Sequence, residues 1–160
     1  MGVFVMDTLT LAHVLISMVG IASGLVVLYG LLNAKRLEGW TGVFLATTVA
    51  TSVSGFLLPA PHFLPSHAIG ILSLIVLVIA IVARYLRHLA GGWRTTYVIT
   101  AVIALYFNVF VLVAQLFQKV PALKALAPTG SEPPFLIAEV LVLGIFVVLG
   151  RRAVVKFRAA

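Results

Sequence analysis

Apolar residues fill five long runs, Leu9–Leu32, Thr41–Leu58, His67–Ala83, Thr95–Gln118 and Phe135–Gly150, separated by short charged or proline-bearing breaks. The runs hold one acidic residue, Glu139, and neither Lys nor Arg. A helix rises ~1.5 Å per residue and a bilayer core is ~30 Å thick, so about 17–25 such residues cross it. The shorter runs reach a full span by borrowing flanking turns, where Arg84, Arg87 and Arg151 can snorkel to the headgroups. The pattern predicts an all-α integral membrane protein: five transmembrane helices in a single domain, residues 1–160.

Local signals set the expected ends. Asp7 or Thr8 caps the first helix, which stops near Asn33. Trp40 and Thr41 open the second at an interface, and Pro59 and Pro61 end it. Ser66 is a suitable N-cap for a third helix starting at His67. Gly91-Gly92-Trp93 turns the chain into the fourth. The long connection from Val120 to Pro134 has room for a short interfacial helix around Leu123–Leu126. The N-terminus lacks the basic region of a signal peptide and runs into too long an apolar segment, so the first helix is expected to be retained.

A spacing hints at internal duplication. His13 and Trp40 are 27 residues apart, His67 and Trp93 are 26 apart, and each Trp follows a Gly in a basic turn. A tandem repeat of a two-helix hairpin would give a four-helix core with His13 and His67 at similar depth on opposite sides. The fifth helix would pack outside.

Composition sharpens the class. Hydrophobic residues make up 62% of the chain and charged residues 9%, far from a soluble domain, so lipid must solvate the excess. The formal charge is +7, yet it does not point to nucleic acid. Nine of the eleven Lys and Arg fall in alternate connections and the tail (Lys35, Arg36, Arg84, Arg87, Arg94, Arg151, Arg152, Lys156, Arg158). Only Lys119 and Lys124 lie on the other side. The positive-inside rule then puts the N-terminus outside and the C-terminus in the cytoplasm, as expected for a multi-pass protein of a bacterial-type inner membrane. With no cysteine, disulfides, thiolate metal sites and thiol catalysis are excluded.

Polar residues inside a membrane need a partner or a cavity. In this topology they gather near the outer ends of the helices: His13 and Ser17; Thr47, Thr48, Thr51, Ser52 and Ser54; His67 and Ser73; Asn108, Gln115 and Gln118; and Glu139. An outer pocket of His13, His67, Gln115 and Glu139 follows from depth alone. Paired neutral imidazoles suit the axial positions of a b-type haem, and the helix N-terminus favours the uncharged form of His67. His13, His67 and Glu139, with His62 as a mobile fourth ligand, suit Zn²⁺, Cu²⁺ or a proton. A quinone or lipid pocket would use the same groups only as hydrogen-bond partners. In the simplest reading the groups merely bond neighbouring helices or face water. Glu139, costly if charged, is expected to be neutral or paired with a His.

Other features read as packing. Gly20-Ile-Ala-Ser-Gly24 matches the small-residue pattern for close helix approach, within the chain or in a dimer. Tyr29, Trp40, Tyr85, Trp93 and Tyr97 fit an inner aromatic belt. There is no phosphate loop, no Ser-His-Asp set, no paired aspartates and no TVGYG filter. The expectation is therefore a cofactor- or ligand-binding protein, most concretely a haem b or quinone redox component. A small transporter or channel subunit for ions, protons or metal is the alternative. The expected partners are the bilayer, a quinone or other small ligand, and a homo-oligomer or larger membrane complex.

Overall fold

A computed structural model describes residues 7–60 and 62–158. It is all helical, with α1 (Thr8–Leu32), α2 (Glu38–Leu57), α3 (Pro65–Ile81), α4 (Trp93–Lys119), α5 (Pro121–Leu126) and α6 (Pro133–Phe157). A π-helical turn, Val82–Leu86, extends α3. Five of these helices are long and apolar enough to cross a membrane, α3 counting with its π turn. The chain is thus an all-α membrane protein, and α5 is the short helix expected in the long connection. The starts of α1, α3 and α6 and the ends of α2 and α4 share one side, called the N-side below. The opposite, basic side is the C-side.

Helices α1 to α4 form a ring in which α1 packs on α2 and α4, and α3 packs on the same two. Helix α6 lies outside the ring against α4 and α1. Small residues set the closest approach. Gly20 sits against Thr47, Thr48 and Asn108, and Gly24 against Phe44 and Leu105. The GxxxG face therefore makes an intramolecular contact with α2 and α4. Thr47 and Thr51 bond back to the carbonyls of Val43 and Thr47, which satisfies their hydroxyls without a partner helix.

Several ends differ from the sequence expectation. Asp7 caps α1 as anticipated, its carboxylate accepting from the Thr10 N–H at 2.7 Å. Helix α3 starts earlier, with Leu64 as the N-cap and Pro65 in the first turn. Proline suits that position because its missing N–H would be unpaired there anyway. The capping acceptor is His67 Nδ1, which receives the Leu64 N–H at 2.8 Å, so Ser66 is not needed. Helix α2 begins at Glu38 rather than Trp40, and α6 runs past Gly150 to Phe157. Pro61, expected to help end α2, lies outside the described residues. Tyr97 is not a belt residue: it is fully buried, its ring 5.0 Å from the Arg84 guanidinium.

On the N-side, Glu132 precedes Pro133 and folds back on its own loop. Its carboxylate accepts from the Thr129 hydroxyl at 2.7 Å and from the N–H groups of Thr129 and Ser131 at 3.0 and 3.1 Å. These bonds, the Thr129 hydroxyl first, lower its pKa from 4.5 to about 2. A depressed pKa adds stability above the ordinary value and loses it as pH falls toward the folded one. The loop order should therefore hold above about pH 4.5 and fade towards pH 2, read from the Thr129 and Ser131 amide NMR shifts. Glu132→Gln should flatten that titration; an unchanged curve would show that another group is responsible.

Candidate functional site

A cavity of about 470 Å³ opens at the N-side of the four-helix ring. His13 and Ser17 of α1, Thr51 and Ser52 of α2, His67 and Ser73 of α3, and Asn108 and Gln115 of α4 line it. Its volume suits a small organic ligand. The polar side chains come from four helices, and apolar Met18, Ile21, Phe56, Phe107 and Leu112 fill the walls between them. Met18, Phe56 and Leu116 line the cavity while remaining about 40% exposed. The cavity thus reaches the flank of the bundle as well as its end. Lys119 stands at the mouth.

The floor is hydrogen-bonded. Ser52 Oγ donates to Ser73 Oγ at 3.3 Å, and Asn108 Nδ2 to Thr48 Oγ1 at 3.3 Å. Below it, Phe44, Leu77, Leu105 and Tyr97 pack a solid core toward the C-side. Close-packed apolar side chains thus begin at the floor, with Thr41, Thr100 and Arg84 buried nearer the C-side.

The two histidines differ in what they can offer. His67 Nδ1 accepts the Leu64 N–H, so in the neutral ring the proton sits on Nε2. The ring lies between aromatic neighbours, 5.5 Å from Phe56 and 5.3 Å from Phe63. His13 Nδ1 is 2.7 Å from Ser54 Oγ, and that hydroxyl donates to the Thr51 carbonyl at 3.2 Å. With the Ser54 proton donated to the Thr51 carbonyl, His13 Nδ1–H would donate to Ser54 Oγ and leave Nε2 a lone pair; with that proton donated to Nδ1, the roles of the two ring nitrogens reverse. Gly55 makes room for this ring, with His13 Cε1 3.5 Å from the place a Cβ would take. In the first arrangement His67 Nε2 is a donor and His13 Nε2 an acceptor.

Glu139 has the expected depth but the wrong direction. Phe117 pairs with Phe135, Tyr106 with Phe146 and Arg94 with the Arg158 carbonyl, one antiparallel register for α4 and α6. It sets Glu139 level with Val113. The contacts of Gly20 with Asn108 and Gly24 with Leu105 put His13 level with Gln115. The two levels differ by about 3 Å. Yet Glu139 does not line the cavity; it is buried on α6, both oxygens without a hydrogen-bond partner among the described residues. His13, His67 and Gln115 are brought together, and Glu139 stands apart. Among the described residues no three His, Asp or Glu side chains gather as a metal site. His62 and His88 are exposed.

Ser54, which is hydrogen-bonded to His13 Nδ1, reads in the sequence only as one of the polar residues of α2. Lys119 at the mouth had been assigned to a loop. The register of the α1–α2 hairpin is the signal that would have paired Ser54 with His13. No protein-family model, curated protein or solved structure matches the chain. What defines the molecule is its class: a multi-pass helical membrane protein with a mostly apolar cavity that carries polar side chains from four of its helices.

Proposed function

We propose that this protein binds a small amphipathic ligand drawn from the bilayer, most concretely the head of a quinone or quinol, in the N-side cavity. The observation that carries the reading is that imidazoles from two helices, each held by a hydrogen bond at Nδ1, line one cavity. A quinone carbonyl would accept from His67 Nε2–H, and a quinol hydroxyl would donate to His13 Nε2. Both bonds are made by neutral groups, so no buried charge must be offset. Gln115 and Asn108 supply further amide contacts, and Phe56 and Phe107 flank a flat ring. The exposed flank of Met18 and Leu116 supports entry from lipid.

Haem b is the weaker form of the same reading. Axial ligation would require a lone pair on His67 Nε2, and the Leu64 N–H bond holds the ring in the opposite tautomer. Transport would require the packed core below the Ser52–Ser73 floor to open.

Equilibrium binding of a short-tailed ubiquinone analogue to the detergent-purified protein tests the proposal. The parent should saturate at one site. His13→Leu should weaken binding about 3- to 10-fold, the effect of one lost hydrogen bond, and Gly70→Leu, which intrudes on Phe56 in the cavity wall, should remove it. Glu139→Gln should bind as the parent does. Non-saturating uptake that is equal in all four proteins would sink the quinone reading. A Soret band lost in both His13→Ala and His67→Ala would establish haem instead.

A further inference from the structure

A second concavity lies on the opposite half of the molecule. It runs between α4 and α6 for about 490 Å³ along Val102, Ile103, Phe146, Val147 and Val154. Every lining residue is aliphatic, Phe or Gly except Tyr106 at one end and Arg151 toward the other. From Leu143 to Val155 the α6 side of the groove spans about 18 Å, on the order of one leaflet of the hydrocarbon core. Gly150 lets the helices close at its floor, since a Cβ there would stand 3.2 Å from Val102 Cγ1.

Arg151 is an exposed cation just past the apolar run of its own helix, but deeper than the start of the run on α4. The α4–α6 register sets it level with Ala101, while the apolar run of α4 begins at Thr95. Its Cα is therefore about 9 Å nearer the membrane centre than that start. No acidic side chain of the chain reaches it. Asp7 caps α1 on the N-side, Glu38 pairs with Arg84, Glu132 holds the N-side loop, and Glu139 is level with Val113. A guanidinium at that depth seeks a counter-charge or the interface. Among the described residues no carboxylate pairs with it, and a lipid headgroup at the interface can supply the charge.

We propose that this groove binds an anionic phospholipid of the C-side leaflet. One acyl chain lies along Val102, Ile103, Phe146 and Val147, and the phosphate is paired with Arg151. The guanidinium fork suits two phosphate oxygens, and the chain covers apolar surface that α6 leaves open. A neutral phospholipid offers the same tails with a zwitterionic head, so head charge rather than chain should decide retention.

Native mass spectrometry of the delipidated protein, given equal dioleoyl-phosphatidylglycerol and dioleoyl-phosphatidylcholine, tests it. One phosphatidylglycerol per chain should be retained, favoured about fivefold or more over phosphatidylcholine. Arg151→Gln should abolish the preference, and Arg152→Gln should keep it. Val147→Phe, which fills the groove from an exposed position and spares the helix contact at Gly150, should reduce retention of both lipids. Equal retention of the two lipids by the parent overturns the proposal, as does a preference that survives Arg151→Gln. A doubled mass that added lipid does not dissociate would overturn it too, by assigning the groove to a second copy.

Discussion

Gly24→Leu should remove most of the folded protein recovered from membranes, while Gly144→Leu should leave the yield unchanged. A Cβ at Gly24 would stand 2.5 Å from Leu105 Cδ1 and 2.9 Å from two Phe44 ring carbons. Those are side-chain ends, which on a surface would swing aside. Here Leu105 and Phe44 are only 2% and 1% exposed, so both are locked in the core. Even a single added methyl should cost about 1–3 kcal/mol. In a chain of this size that lowers Tm by roughly 2–4 °C for each kcal/mol. Four added carbons cannot fit without moving α1 off α2 and α4. Gly144 meets nothing within 4 Å and looks outward from α6, so its substitution tests the helix alone. Fluorescence-detected size exclusion after heating reads both variants. A Gly24→Leu protein as stable as the parent would show that the ring is not packed at this point.

The same displacement of α1 would spoil the cavity above it. Gly20, one turn toward the N-side, holds α1 against Thr48 and Asn108, which form part of the floor. Folding and ligand binding are thus linked through one glycine-lined face. A Gly24→Ala protein that stays folded should still bind the quinone analogue more weakly than the parent.

Spans were legible in the sequence because hydropathy acts on whole segments. Twenty apolar residues need no knowledge of their neighbours to be recognised. Depth was legible for the same reason: His13, Gln115 and Glu139 do fall within a few ångströms of one level. Facing was not, since a helix turns ~100° per residue and rotation about its axis is set by packing partners. Glu139 shares its buried face with Phe146 and Ala153, spaced by seven residues and turned to α4 and α1. That face is outside the ring that holds the histidines. The Nδ1 partners of His13 and His67 were equally hidden, because each is a single hydrogen bond, to Ser54 or to the Leu64 N–H. Tyr97 was misread for the opposite reason: its level suited an aromatic belt, but a buried cation lay beneath its ring.

That cation gives the second large effect. Arg84→Ala should destabilise the protein by about 3–4 kcal/mol, while Glu38→Gln should cost no more than about 1 kcal/mol. The Arg84 side chain is 3% exposed and its Nη2 reaches Glu38 Oε2 at 2.9 Å, but Glu38 is 66% exposed. An ion pair with one end in water contributes little. The larger contributions are buried: the guanidinium sits 5.0 Å from the Tyr97 ring centre and donates to the Arg36 carbonyl at 3.2 Å. Through the Arg36 carbonyl and Glu38, a residue of the π-helical turn fastens the α3–α4 hairpin to the C-side end of the α1–α2 hairpin. A desolvated cation–π pair is worth about 2 kcal/mol, and truncation to Ala leaves a cavity in addition. Tyr97→Phe keeps the ring that faces the guanidinium, so it should cost far less than Arg84→Ala. Thermal unfolding in detergent measures all three variants. If Glu38→Gln proved as damaging as Arg84→Ala, the exposed ion pair, not the buried contacts of the guanidinium, would carry the stability.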